Sequence, residues 1–224
     1  MKYRLTDETK RVGCKTLHRI ECVEAFGNVE TGEKGGWIEK ESNLSQEGNA
    51  WVSGDAWVHD NAMVSGNSQV FGNAVVCGNA RVFDNARVCD SAVVFGNTVV
   101  CGNARVFGSA RVFDNARVCD SAVVYDYAVV YDSARIYNYA VVNGYAVVTG
   151  DAKISRMSDY IVFKNNFSSG RYFTWTRSDN MWTVGCFRGT GEELIEKARQ
   201  DSEEKAKCYA LYVKLVEDLQ KVKL

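Results

Sequence analysis

Arg117, Arg135 and Lys153 stand eighteen residues apart, with Tyr137 two residues beyond the middle one. Cations repeated at one interval suit a phosphate or carboxylate ligand if the chain brings them to a single side. Nearer the C-terminus, Arg171, Arg177 and Arg188 interleave with Tyr172, Phe173, Trp175, Trp182 and Phe187. Arginine among aromatic rings fits a base-and-phosphate ligand, with Arg171, Arg177, Trp175 and Arg188 as candidate contacts. The alternative is that alternate aromatics form the core of a small sheet, which suits Phe173, Trp175 and Phe187 equally well. Of the two histidines, only His59, in Trp57-Val58-His59-Asp60-Asn61, lies in the regular part of the chain. It is the single candidate general base. None of the eight cysteines forms a Cys-x-x-Cys pair, so no metal site is expected, and no cofactor. Neither a Gly-rich phosphate loop nor a Ser-His-Asp arrangement can be picked out.

A repeat must position these residues. An aliphatic residue recurs every six positions from Val52 to Ile154, and a small one recurs in the same frame from Ala50 to Ala152. Between them lies a dipeptide, usually Gly-Asn, Asp-Asn or Asp-Ser, as in Gly72-Asn73, Asp84-Asn85 and Asp120-Ser121. Ala-x-Val is a short strand with its two ends pointing in and its middle pointing out. Gly, Asn, Asp and Ser let the chain turn, and Asn tolerates the left-handed backbone region. Three strands and three corners close one triangular coil. The eighteen hexads therefore predict a mainly β protein, a parallel β-helix of about six coils rising ~4.8 Å each. Tyr127 and Tyr145 replace the corner Asn, one above the other. A bulky residue is unfavourable in the left-handed region, so either the corner changes shape or the rings have a use. A tyrosine ladder and a stacked ligand ring are the two options.

The hexads run over 46–155 and leave two ends. Residues 1–45, with short alternating strands at Tyr3–Leu5 and Thr16–Ile20, are expected to cap the open strand edges. Residues 156–224 are expected to form a small α+β module. Tyr160–Phe163, Arg171–Thr176 and Trp182–Phe187 make a three-stranded meander. Capping boxes at Thr190/Glu193 and Asp201/Glu204 start two helices, the second with Tyr209, Tyr212, Val216 and Leu219 on one face.

Positions eighteen apart stack, so the outward faces can be assigned. One carries Trp57, His59, Val75, Cys77, Val93, Phe95, Arg111, Phe113, Val129, Tyr131, Val147 and Thr149. It is too apolar to stay bare, and either an identical subunit or the C-terminal module covers it. A second carries Arg81, Phe83, Cys101, Arg117, Cys119, Arg135, Tyr137 and Lys153. Its cations either hold an anion or are offset by corner aspartates such as Asp120 and Asp132. Cys101 and Cys119 stack on this face and are expected to be free thiols. The third face is mixed, with Arg87 and Arg105 adjacent. The formal charge of −1 argues against bulk nucleic-acid or membrane-surface binding. No apolar run reaches a membrane span, and Met1–Glu8 lacks the apolar run of a signal peptide. A cytoplasmic location is expected.

The unbroken frame resembles the hexapeptide-repeat superfamily of left-handed β-helices, which includes trimeric acyltransferases. The opening of the chain is similar to that of uncharacterised hexapeptide-repeat proteins of bacteria and their phages. The resemblance implies a left-handed helix and a homotrimer joined through the apolar face. It also implies an acyl-CoA-dependent transferase with His59 as base, but no loop interrupts the repeats as in such enzymes. The preferred expectation is a non-enzymatic binding protein that captures a small anionic, nucleotide-like ligand at subunit boundaries. If the gene is phage-borne, the host cytoplasm is the location and sequestering an immune signal the role. A structural spacer is a third reading.

Overall fold

A computed structural model of the protein describes residues 1–222. Its centre is a parallel β-solenoid of about seven coils. Strands β4 (Trp51–Val52) to β21 (Lys153–Ile154) are two residues long and recur every six. Each lies beside the strand three further along, so Val93 pairs with Arg111 and Val94 with Val112. The coil is therefore eighteen residues, as the hexads predict. The inward Ala, Val and Ile side chains are buried and the residue between them faces out. A small residue beside a larger one fills the narrow interior. Ser68 and Thr98 take the small slot without stranding a polar group, because their hydroxyls donate to Ser65 O at 2.7 Å and Phe95 O at 2.6 Å.

The additional coil begins in the N-terminal segment. In β3 (Lys34–Ile38), Trp37 pairs with Trp57 and Ile38 with Val58, and Leu44 bridges to Val64. These partners are twenty residues apart rather than eighteen, so a hexad count misses them.

Each corner turns on its first residue, a Gly, an Asp or, at one corner, Asn138, with φ near +60°, as at Asp84 (59°), Asp120 (59°) and Asn138 (57°). Aspartate there is useful as well as tolerated. Asp84 Oδ2 accepts Gly102 N at 3.0 Å, and Asp120 Oδ2 accepts Asn138 N at 2.9 Å, one coil on. The second corner residue has ordinary backbone. Its asparagines form amide ladders such as Asn49–Asn67–Asn85–Asn103. Tyr127 and Tyr145 follow the positive-φ residues Asp126 and Gly144. They sit in this second slot, so the backbone strain anticipated for them does not arise.

Both ends are covered. Strands β1 (Tyr3–Val12) and β2 (Lys15–Cys22) form a hairpin, and β2 pairs with β3. Residues 37–45 give backbone donors to Ala56 O, Val58 O and Val64 O, and carbonyls that this additional coil does not reach take side-chain donors instead. Lys2 Nζ donates to Ala50 O at 2.9 Å and Gly48 O at 3.3 Å, and Asn43 Nδ2 donates to Ala62 O at 2.8 Å. Burial draws the Lys2 pKa down to about 8. At the far end, Val147 N donates to Thr174 Oγ1 at 2.9 Å and Lys153 N to Ser178 Oγ at 2.7 Å.

The C-terminal sheet has four antiparallel strands, β22 (Tyr160–Lys164), β23 (Tyr172–Thr176), β24 (Met181–Val184) and β25 (Phe187–Gly189). Three were expected, because Trp182–Phe187 looks like one run. Gly185, at φ 58°, turns it into a hairpin. Helix α1 (Gly191–Arg199) starts at the Thr190/Glu193 capping box. Helix α2 (Glu203–Lys221) starts at Ser202, whose Oγ accepts Lys205 N at 3.1 Å, one residue after the expected Asp201. Its buried side is Ala206, Tyr209, Val213 and Val216, and Leu219 is exposed rather than sharing that face. No described helix is long and apolar enough to cross a membrane.

Candidate functional site

The docking of β23 on the last coil leaves a cleft of about 860 Å³ between the solenoid and the C-terminal module. That lies within the range of small-molecule sites, roughly 300–1,000 Å³. One wall is a column of rings. Tyr127 and Tyr145 stack with centroids 5.1 Å apart, and Tyr145 and Tyr172 with centroids 4.3 Å apart. The first two stack because they are one coil apart, while Tyr172 is brought by the module. Lys164 Nζ lies 5.6 Å over the Tyr172 ring. Below Tyr127 the same corner slot holds Ser109, whose N–H donates to Asp126 O. That end of the column therefore has no ring against it. Val129, Val147, Val184, Phe187, Leu194 and Ala198 supply apolar surface, and Arg171, Lys197 and Lys205 supply cations. Lys205 is paired with Asp201. Arg171 is exposed and has no ion pair among the described residues. Apolar walls, stacked rings and an unpaired guanidinium together suit a planar, anionic ligand.

The expected contacts divide. Arg171 lines the cleft. Trp175 is wholly buried and its Nε1 donates to Asn180 Oδ1 at 2.9 Å, so it belongs to the core of the module and cannot meet a ligand. Arg188 pairs with Asp179 at 2.7 Å. Arg177 donates to Ser158 O at 3.1 Å and lies over Trp175. The arginine-aromatic alternation of this segment is mainly that of a sheet buried on both sides, with Phe173 and Trp175 in the module's core and Thr174 against the last coil.

Arg117, Arg135 and Lys153 are on a different face of the solenoid. They are cross-strand partners on three successive coils and line, with Cys119, Ile136 and Tyr137, a hollow of about 280 Å³. The apolar face is covered in part by the chain itself. The N-terminal hairpin reaches over one end, where Lys10 Nζ lies 4.4 Å from the Trp57 ring centroid. The module covers Thr149 at the other. Between them Phe95, Phe113 and Tyr131 form a half-exposed stack with centroids 4.8 and 5.0 Å apart.

Cys101 and Cys119 are free thiols with their sulfurs 2.8 Å apart. Burial, then the neighbouring Cys101, pushes the Cys119 thiol up to about 12. An unfolded thiol ionises near 9.0. Between pH 9 and 12 the folded chain therefore keeps a proton the unfolded chain has lost. The stability linked to this group is complete below about pH 9 and disappears as the pH rises through 12. Melting temperature against pH is expected to fall less steeply over this window for Cys119→Ala than for the unaltered protein. Equal slopes would contradict the assignment.

His59 Nδ1 lies 3.0 Å from Asp60 Oδ2, a pairing that could orient a base. The ring is half-buried, and Cys77, eighteen residues on, stands beside it. The donor atoms of His59, Asp60 and Cys77 lie within 4.8 Å of one another, a grouping the sequence reading missed although the eighteen-residue spacing contains it. Asp60 is already engaged, by Lys15 and by Gly78 N at 3.1 Å, so an ion here would have to displace Lys15.

The architecture is that of a capped parallel β-solenoid carrying one cleft against its C-terminal module and one cationic hollow on its side. Segments 74–90, 80–96, 100–112 and 110–126 match the family model described as YdcK beta solenoid repeat. The matched segments lie in the middle of the solenoid and cover less than half of the chain, so the likeness concerns the repeat. No curated protein matches the chain.

Proposed function

We propose that the protein is a non-enzymatic, oligomeric binding protein that captures a small anionic, nucleotide-like ligand in the cleft between solenoid and module. The observation that carries this reading is the tyrosine column beside the unpaired Arg171. The ligand's ring lies against the tyrosines and its phosphates meet Arg171 and Lys197. Copies join through the half-exposed face of Val75, Val93, Phe95, Phe113, Val129 and Tyr131, as a trimer of left-handed rods. Val129 belongs to both that face and the cleft, so a neighbouring copy closes the cleft's open side. In a phage-encoded protein, sequestering a signalling nucleotide of the host is the corresponding role.

Native mass spectrometry of freshly purified protein gives subunit count and retained ligand together. Calorimetry with cyclic nucleotides and ADP-ribose derivatives is expected to show heat for at least one of them. Tyr145→Ala and Arg171→Ala are each expected to weaken that binding about tenfold or more, the usual worth of a stacked ring or a charged contact. Absence of heat across the panel, with no retained mass, removes the reading. The His59–Asp60 pair supports a second reading, an acyl-CoA-dependent transferase. Acetyl transfer that is lost in His59→Ala and kept in Arg171→Ala would favour it.

A further inference from the structure

We infer that the ladder of Arg117, Arg135 and Lys153 is a second, separate site that takes a condensed phosphate chain lying along the solenoid axis. The three residues are direct partners on neighbouring parallel strands. Like charges placed opposite one another on adjacent strands destabilise a sheet, so an anion bound along this stack would stabilise it.

The protein does not supply one. Among the described residues none of the three makes an ion pair. Asp120 and Asp132, at the corners flanking this face, are otherwise engaged. Asp120 Oδ2 accepts Asn138 N at 2.9 Å, while Asp132 Oδ2 accepts Gly150 N at 3.0 Å and the Thr149 hydroxyl. Three of the four other arginines on the solenoid strands have another partner, the exception being Arg87, which has Cys89 two residues on and pairs across strands with Gln69 and Arg105. Arg81, Arg105 and Arg111 each lie over the phenylalanine two residues on, at 5.3, 5.3 and 5.7 Å from its centroid. Arg117 has Cys119 in that place and no ring beneath it. The three cations instead surround a hollow of about 280 Å³ beside Tyr137.

The geometry also selects the class of anion. Rungs recur every ~4.8 Å, so three of them present positive charge along a line of about 10 Å. A single phosphate engages one or two rungs. Phosphates linked through shared oxygens present one anionic group after another along the same line and engage all three. Such a chain is found free or as the tail of a nucleoside triphosphate. Because the ladder and the tyrosine cleft are on different faces, either site can fail without the other.

The test is calorimetry at low salt with orthophosphate, tripolyphosphate and ATP on the intact protein, Arg135→Gln and Arg87→Gln. Arg87→Gln removes the same charge from another face. Tripolyphosphate is expected to bind on the order of tenfold tighter than orthophosphate, with the advantage lost in Arg135→Gln and kept in Arg87→Gln. ATP matching tripolyphosphate identifies the chain alone as the ligand. ATP binding more tightly, in a way Arg135→Gln abolishes, identifies the triphosphate tail of a nucleotide. A second readout uses the free protein. Arg135→Gln should raise its melting temperature by relieving the stacked charge, and should lose the rise that tripolyphosphate gives the unaltered protein. Tripolyphosphate binding no tighter than orthophosphate, or equally well to Arg135→Gln, overturns the proposal.

Discussion

Val112→Asp is expected to abolish soluble, folded protein. Val112 is fully buried, with Val94 and Val130 stacked on either side of it. The interior around it is alanine and valine apart from Thr98, whose hydroxyl is already given to Phe95 O at 2.6 Å, so no cation or free donor is there to meet a carboxylate. Ionised, the new group costs several kcal/mol after relaxation. Protonated, it leaves a hydroxyl and a carbonyl without partners. Either way the loss is on the order of 5 kcal/mol, against a total stability of about 5–15 kcal/mol for a domain. Position adds to the effect. Coils contact only their neighbours, so a break at mid-length separates two stacks, each left with one capped end. Soluble yield and far-ultraviolet circular dichroism read the outcome, with Arg117→Ala as the comparison because that side chain is exposed. A soluble Val112→Asp protein with unchanged melting would mean that this side chain does not face the interior.

Gly35→Ala is expected to lower the melting temperature on the order of 10 °C. A methyl group there would stand 2.5 Å from Ile20 Cγ1, 2.6 Å from Trp51 Cζ2 and 2.6 Å from Val52 O. The first is in the hairpin and the other two in the solenoid, so Gly35 marks where the cap meets the first coil. No single side chain can move aside, because one of the three is backbone. Overpacking of this kind costs about 3 kcal/mol, and each kcal/mol lowers Tm by roughly 2–4 °C in a chain of this size. Thermal denaturation by circular dichroism checks it. An unchanged midpoint would show that the cap is not packed this closely on the rod.

The solenoid was legible because its period is a physical constraint repeated eighteen times. Every inward position must be small or aliphatic and every corner must turn, so the sequence states the coil length, the faces and the stacking partners. Tyr127 above Tyr145 and Arg117 beside Arg135 followed from that arithmetic alone. Tyr172 did not, since it arrives from a module whose docking leaves no period to read. The cleft was hidden for the same reason. Trp175 stayed open between two readings because a ligand-stacking tryptophan and a core tryptophan alternate with arginine in the same way, and only the packing of the helices on that side of the sheet separates them. The role of Lys2 was also invisible. A lysine near a chain start looks like solvated charge until the unpaired carbonyls of Gly48 and Ala50 are seen beside it.

The two terminal coverings have a consequence for how copies behave. Every coil edge is shaped to accept the next coil, so the bare top of one rod would fit the bare bottom of another. With Lys2 and Asn43 occupying one end and Thr174 and Ser178 the other, that head-to-tail joining is blocked. A chain shorn of both coverings would have no intrinsic stopping point and would elongate into filaments, its length set by concentration instead of by the gene.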